Sequence, residues 1–445
     1  MVPGGRPVAW SHLLTEVSAP GRRPPGHRWG LGEDRGVINA MQVRSIGGRI
    51  REIRIWRDMS LKATAELAGI TESYLSRMER NERPVNSRSL LEAIAAALRV
   101  APSELAEQAF PPATADPVAA ETQAAVIALD AALSDYRLGE PTGETARPWP
   151  AVAVDIDRLN TVLRPTCDYA AQGVLLPKLI TELHTLYVTD PEHRVDIYKA
   201  LMDCYQMAGV LLKNLGVRGL PSLAAFRAQQ VAEELDDPAW LGLAAWLRAF
   251  TVDGKGRQRM LAISLRGAHE LERHLDDPRA AQMYGALHLH AALASAAMRR
   301  GGDCADHLDE ATAMAERVRG GGRGFGGLCF GPDNVGIWRL SIAVELGETG
   351  RAREIARLVD PSRVPSAARQ AMFWADLGRG MAQERSTRDE AVGALLRAET
   401  IAPQRIRPNP FVRETIADLL RRAQRDAATG RDLRGMAYRM GIGVG

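Results

Sequence analysis

The chain has 445 residues, 46% of them hydrophobic and 25% charged, with a formal net charge of +3; the length asks for more than one domain, and the balance is that of a soluble globular protein. No run of about 18 apolar residues offers a membrane span, and so small a charge does not argue for a nucleic-acid partner by itself. Aromatics make up only 5% while Ala, Leu and Arg dominate, which favours helices, and Cys167, Cys204, Cys304 and Cys329 are too scattered for a zinc site or a disulfide framework, so they read as buried thiols in a reducing cytoplasm.

Residues 1–40 are rich in Gly, Pro and Arg, without helical period and without the apolar run of a secretory signal. The segment to residue 43 is expected to be disordered. Periodic sequence opens at Met41, which makes that residue a candidate native start; a basic arm tracking a DNA groove is the other reading.

From Arg44 the pattern becomes helical. Ile46, Ile50, Ile53 and Met59, with Trp56 between them, form one apolar stripe at spacings of three and four, while Arg49, Arg51, Arg54 and Arg57 occupy the other face. Ser60 is an N-cap for LKATAELAG, and Gly69 closes that helix in the position suited to a left-handed residue. Thr71 caps a third helix, ESYLSRMERN, which Pro84 ends. Asn86 or Ser87 caps RSLLEAIAAALRV, whose Leu90, Leu91, Ile94, Ala97 and Leu98 face a core. Pro102 and Ser103 start a fifth helix. Two short helices joined by a tight turn containing Gly make a helix-turn-helix arrangement.

Ala65, Gly69, the run YLSRMER and the run LLEAIAAALRVAPSEL together resemble the Cro/repressor-type, or Xre-family, helix-turn-helix, over Ile46 to Glu107. The resemblance implies a five-helix DNA-binding domain at residues 44–108 whose third helix enters the major groove. It implies base-facing roles for Thr71, Glu72, Ser73 and Arg77. An arginine there can grip guanine with two hydrogen bonds, worth about 1–3 kcal/mol of discrimination, and a carboxylate can accept from the cytosine amino group. Glu72 also stands in the first turn, where the helix dipole favours an anion. Ser60, Lys62, Arg80, Asn81 and Arg83 complete the expected DNA-contacting set, and Arg88 adds to the phosphate-neutralising charge. Leu61 replaces a frequent polar phosphate contact, Thr64 a core Leu, and Asn81 a helix-ending Gly. With eleven basic and nine acidic side chains over Arg44–Gln108, affinity per domain should be modest. A homodimer reading two half-sites about 34–36 Å apart is the expected remedy.

FPPATADP and GEPTGETARPWP bracket a short helix near residues 119–136, and 109–150 reads as a jointed linker. Residues 151–445 are almost wholly helical in pattern. Asp190-Pro191, Asp237-Pro238, Asp277-Pro278 and Asp360-Pro361 recur at spacings close to one, one and two units of forty-odd, and each is expected to start a helix. VAEELDDPAW aligns with LERHLDDPRA, placing Val231 over Leu271 and Leu235 over Leu275. This is the mark of a helical-hairpin solenoid. It resembles a degenerate tetratricopeptide array, ELGETGRA looking like one of its inter-helix turns. An Xre-type head on such a body resembles regulators common in actinobacteria.

Little else carries chemistry. GRGFGG, Gly322–Gly327, fits G-x-G-x-x-G but follows a helix rather than a strand, so a flexible loop or lid is expected instead of a dinucleotide site. His288 and His290, two apart on a helix, face opposite ways and do not form a metal pair. Most of Trp240, Trp246, Trp338 and Trp374 should be core, with some lining a groove. No nucleophile–base arrangement or cofactor motif can be argued. The sequence thus predicts an all-α protein, a Cro/repressor-type domain followed by a tetratricopeptide-like α-solenoid. Its expected function is transcription regulation, not enzymatic: the head binds double-stranded DNA while the body dimerises or senses a peptide or small effector. A protein-interaction scaffold with a structural or weakly DNA-binding head is the alternative.

Overall fold

The computed structural model describes residues 45–106, 117–135, 137–140, 143–252, 256–318, 322–423 and 428–442. The expected N-terminal disorder, the candidate start at Met41 and the first part of the linker lie outside them.

The head is built of α1 (Ile46–Trp56), α2 (Leu61–Leu67), α3 (Glu72–Glu79), α4 (Arg88–Ala97) and α5 (Pro102–Leu105). Hydroxyl side chains start the first four: Ser45, Ser60, Thr71 and Ser87 each accept from a backbone N–H three residues on, satisfying donors that a helix leaves orphaned. Ser87, not Asn86, is therefore the fourth cap. Left-handed residues end the turns as expected, Gly69 at φ 65° and Asn81 at φ 59°. Ile50, Leu75, Met78, Ile94 and Leu98 are fully buried between the helices. Thr64 is buried among them; its hydroxyl donates to the Ser60 carbonyl at 3.0 Å, so the polar group carries no desolvation penalty in a position that favours Leu. Trp56 stands out into solvent, 79% exposed.

The body alternates between two layers. The helix α6 (Pro117–Ser134) packs on α9 (Tyr169–Thr189), and its Leu129, Ala132 and Leu133 belong to the body's core. The helix α7 (Trp149–Arg158) runs through a π-turn into a short α8 (Arg164–Thr166). Then follow α9 (Tyr169–Thr189), α10 (Arg194–Asn214), α11 (Leu220–Leu235), α12 (Pro238–Thr251), α13 (Arg257–Leu271), α14 (Pro278–Ala297), α15 (Gly301–Val318), α16 (Pro332–Leu346), α17 (Thr349–Leu358), α18 (Ala367–Met381) and α19 (Arg388–Ile401). Each packs on its successor, and α10, α12, α14, α16 and α18 also pack on one another in series. These even-numbered helices form an inner layer and the odd-numbered ones an outer layer. A short α20 (Pro403–Ile406) leads to α21 (Pro410–Arg422) and α22 (Ala428–Arg439), which pack on each other and on α18 and α19. Among the described residues there is no strand.

The Asp-Pro pairs all sit where the chain turns from outer to inner layer. Asp237 and Asp277 cap α12 and α14 directly, while Asp190 and Asp360 open single 3-10 turns before the next helix. Val231 and Leu271 are equivalent buried positions on α11 and α13. The turn from α15 to α16 departs from this rule. There the glycine-rich stretch takes the place of Asp-Pro, and its Phe325–Gly327 turn reaches back into the body. Gly326 presents its carbonyl to Arg164 and to Gln206, the latter at 2.9 Å. Phe325 lies edge-on to Trp240, ring centres 4.9 Å apart. Gly324, Gly326 and Gly327 all have positive φ, which explains the glycines without a nucleotide.

Candidate nucleic-acid interface and adjoining cavity

The third helix has two faces of opposite character. Inward, Leu75, Met78 and Glu79 are buried. Glu79 takes a two-pronged grip from Arg54 of α1, at 2.6 and 2.8 Å, and Arg54 also donates to the Met59 carbonyl at 2.8 Å. Both side chains are largely buried, so removing either leaves an uncompensated charge, at a cost of roughly 3–5 kcal/mol. The charge-assisted bond to Glu79 raises the Arg54 guanidinium above its ordinary value. Gly47 lets the two helices meet closely: a Cβ there would lie 1.9 Å from the Met78 carbonyl oxygen. Sequence periodicity placed Arg54 on the solvent face; the missed signal is Glu79, an acid four residues after Leu75 in the buried stripe.

Outward, Thr71, Glu72, Ser73, Arg77, Arg80 and Arg83 are exposed on or just beyond α3, and Ser60 and Lys62 are exposed at the start of α2. Among the described residues, no body residue hydrogen-bonds or ion-pairs with the side chains of the six on or beyond α3. Ser60 and Thr71 have their hydroxyls engaged in capping. Asn81 is turned inward, its Oδ1 accepting from the Ser45 hydroxyl at 2.5 Å. Arg83 lies over the Tyr74 ring at 5.9 Å. An acid the sequence reading passed over sits among the bases. Glu82 accepts two bonds from Arg80, at 2.7 and 3.1 Å, and lies 3.8 Å from Arg77. The Arg80 bond holds the Glu82 carboxyl below its usual range.

Through other residues the head meets the body by charge. Glu345 of α16 accepts from the Ser89 N–H at 3.0 Å and from Arg88 at 3.1 Å. Glu414 of α21 accepts from the Ile46 N–H at 3.0 Å. Two body carboxylates thus serve first-turn N–H groups of α4 and α1 that have no partner within their own helices, where the helix dipole favours an anion. Burial pushes the Glu414 carboxyl up. Arg257 of α13 pairs with Glu92 of α4 at 2.7 Å, and Arg379 of α18 donates to the Asn86 carbonyl at 2.8 Å. Phe411 of α21 is packed into the head's own core, with the guanidiniums of Arg88 and Arg379 at 5.3 and 5.0 Å from its ring.

Beside this seam lies a cavity of about 770 Å³. The inner helices α10, α12, α14, α16 and α18 wall it on one side, and α4 and α5 of the head reach it on the other. Trp246 and Trp338 line it, whereas Trp240 packs under the glycine-rich turn and Trp374 packs on Phe373 beneath Arg397. His290 faces this space, while His288 turns the other way, toward Tyr284 and His307. No group of His, Cys, Asp and Glu among the described residues is arranged to hold a metal ion, and no helix there is long and apolar enough to cross a membrane.

A family described as a helix-turn-helix domain matches residues 45–108. No curated protein matches the chain. Among solved structures, ComR from S. thermophilus, crystallised with DNA and its signalling peptide ComS, is similar over 80% of this chain and 99% of that one, at 13% identity and a TM-score of 0.25. Capped helices, glycine turn and family match agree: residues 45–108 are a helix-turn-helix domain, carried by this chain on a body that is helical in its described residues.

Proposed function

We propose that the protein is a sequence-specific DNA-binding transcription regulator whose α3 enters the major groove and whose body senses an effector, dimerises, or does both. The carrying observation is the bare outer face of α3: Glu72, Ser73 and Arg77 project from a helix whose inner face is fixed by Glu79 and Met78, while the body grips the head elsewhere. In this reading Arg77 reads guanine, Glu72 and Ser73 meet neighbouring bases, and Thr71, Arg80, Arg83, Lys62 and Ser60 address the backbone. Asn81 serves the turn that aims the helix. Two heads in a homodimer would read half-sites one helical turn apart, about 34–36 Å.

The operator is obtained by selecting genomic fragments bound by the full chain, and the assignment is then tested with Arg77→Ala. The expected outcome is a loss of about 1–3 kcal/mol on the selected site and relaxed preference at one base pair, with binding to random DNA little changed. A footprint and affinity unaltered by that substitution would remove α3 as the reader.

A further inference from the structure

The cavity beside the seam has no part in the proposed DNA contact. Its wall carries more positive than negative charge, although Arg88, Arg164 and Arg257 are paired with Glu345, Asp203 and Glu92. Arg164, Lys213, Arg218, Arg257, Arg369 and Arg405 of the body line it with Arg88 of the head, and the carboxylates lining it among the described residues are Glu92 and Asp376. Asp376 is engaged by Arg379 and by the Ser341 hydroxyl, each at 2.5 Å, and Glu92 by Arg257. The space therefore favours an anion.

Two buried polar groups there want partners. His290 is 1% exposed, and neither ring nitrogen has a hydrogen-bond partner among the described residues. Arg369 donates its Nε to Asn334 at 2.8 Å, but its buried Nη2 is unpartnered. Such groups are rare in folded proteins and ask for an explanation. These two are neighbours across one ring: the Arg369 guanidinium lies 4.8 Å from the Trp338 ring centre and the His290 imidazole 5.7 Å from it. Trp246 stacks on His290 at 5.1 Å with the planes 20° apart. Ser366 and Ala368, at the start of α18, line the same space and bring its positive dipole end to it. Burial holds His290 at about 3 and lowers Arg369 to about 10. At neutral pH the pair is thus a neutral imidazole beside a fixed cation. A cavity of about 770 Å³ falls in the ~300–1,000 Å³ range of small-molecule sites.

We infer that this cavity binds a small anion with a flat unsaturated body, its charged group at Arg369 and His290 and its ring against Trp246 and Trp338. The inference rests on the regulator reading only for its consequence, which is to name the effector's chemistry. Arg88, Glu92 and Arg257, which tie head to body, share the cavity wall, so a bound anion adds its charge beside that seam.

The test uses the full chain and two fluorescent probes of similar ring system, the anionic anilinonaphthalene sulfonate and the uncharged phenylnaphthylamine. The anion is expected to saturate one equivalent of folded protein and to bind at least about tenfold more tightly than the neutral probe. Arg369→Gln should weaken the anion about tenfold while leaving the neutral probe unchanged, which also reports that the variant is folded. Equal affinity of the two probes for the wild-type chain, absence of saturable anion binding, or an Arg369→Gln affinity equal to wild type would each overturn the inference. DNA retention without probe is measured in parallel. Its loss with probe saturation intact would refute the regulator reading alone, and the converse would refute the ligand site alone.

Discussion

At the scale of single residues, the head places an acid where a DNA reader needs bases. Glu82 occupies Arg80 with two bonds and stands within 4 Å of Arg77. If Arg80 meets the DNA backbone as proposed, Glu82 holds the place of a phosphate, and its removal frees that cation. Glu82→Gln is therefore expected to tighten binding to random duplex DNA and to steepen the plot of log affinity against log salt by about one unit. Fluorescence anisotropy across a salt series checks this; an unchanged slope would mean that Arg80 does not reach the backbone. His290 makes a second prediction. It stays neutral in the folded chain down to about pH 3, whereas in the unfolded chain it takes up a proton below about 6.5. The unfolded state then binds more protons between those values, so stability is full above about 6.5 and falls as pH drops through that window. His184 and His288, each held at about 4 by burial, act in the same direction. His290→Phe should flatten the fall in urea-unfolding free energy between pH 6 and pH 5 by about 1.4 kcal/mol per pH unit. An unchanged slope would place solvent at that imidazole.

Among helices, the decisive contact is between α1 and the end of α3. The absent side chain of Gly47 and the two-pronged bond from Arg54 to Glu79 together fix the angle at which α3 is presented. Gly47→Ala is expected to push the helices apart, costing about 1–3 kcal/mol of stability by overpacking and loosening the fit to the operator. Denaturant titration and a gel shift read both effects; wild-type values would show that the helices can slide without consequence. The head's elements were legible because their determinants are local: hydroxyl caps at Ser60, Thr71 and Ser87, and left-handed turns at Gly69 and Asn81. The two layers of the body were legible in part for the same reason, since Asp237 and Asp277 bond to the backbone two residues away. The contacts that position the site were not. Arg54 and Glu79 are 25 residues apart, and Arg88 and Glu345 are 257 apart; no period or spacing joins such pairs. The cavity was illegible too, because Trp246, His290, Trp338 and Arg369 come from four helices and meet only when these stack. Helical period did separate His288 from His290, but which of them faced inward depended on that stacking.

Across the whole molecule, head and body are joined by more than a linker. Glu345 and Glu414 serve the first turns of α4 and α1, and Phe411 fills part of the head's core. The head should therefore unfold with the body rather than before it. Scanning calorimetry of the full chain is expected to show one transition. Phe411→Ala should destabilise the head by about 3–5 kcal/mol and split off an earlier one. A separate head transition in the unaltered chain would show that Phe411 contributes nothing to cooperativity. The position of this phenylalanine also limits modular exchange. A chimera that grafts residues 45–106 onto a foreign scaffold imports a reader with a hole in it, and the donor scaffold is left with an aromatic ring stranded in water. Recombination between such regulators would have to carry α21 along with the N-terminal reader, although more than three hundred positions of chain separate them.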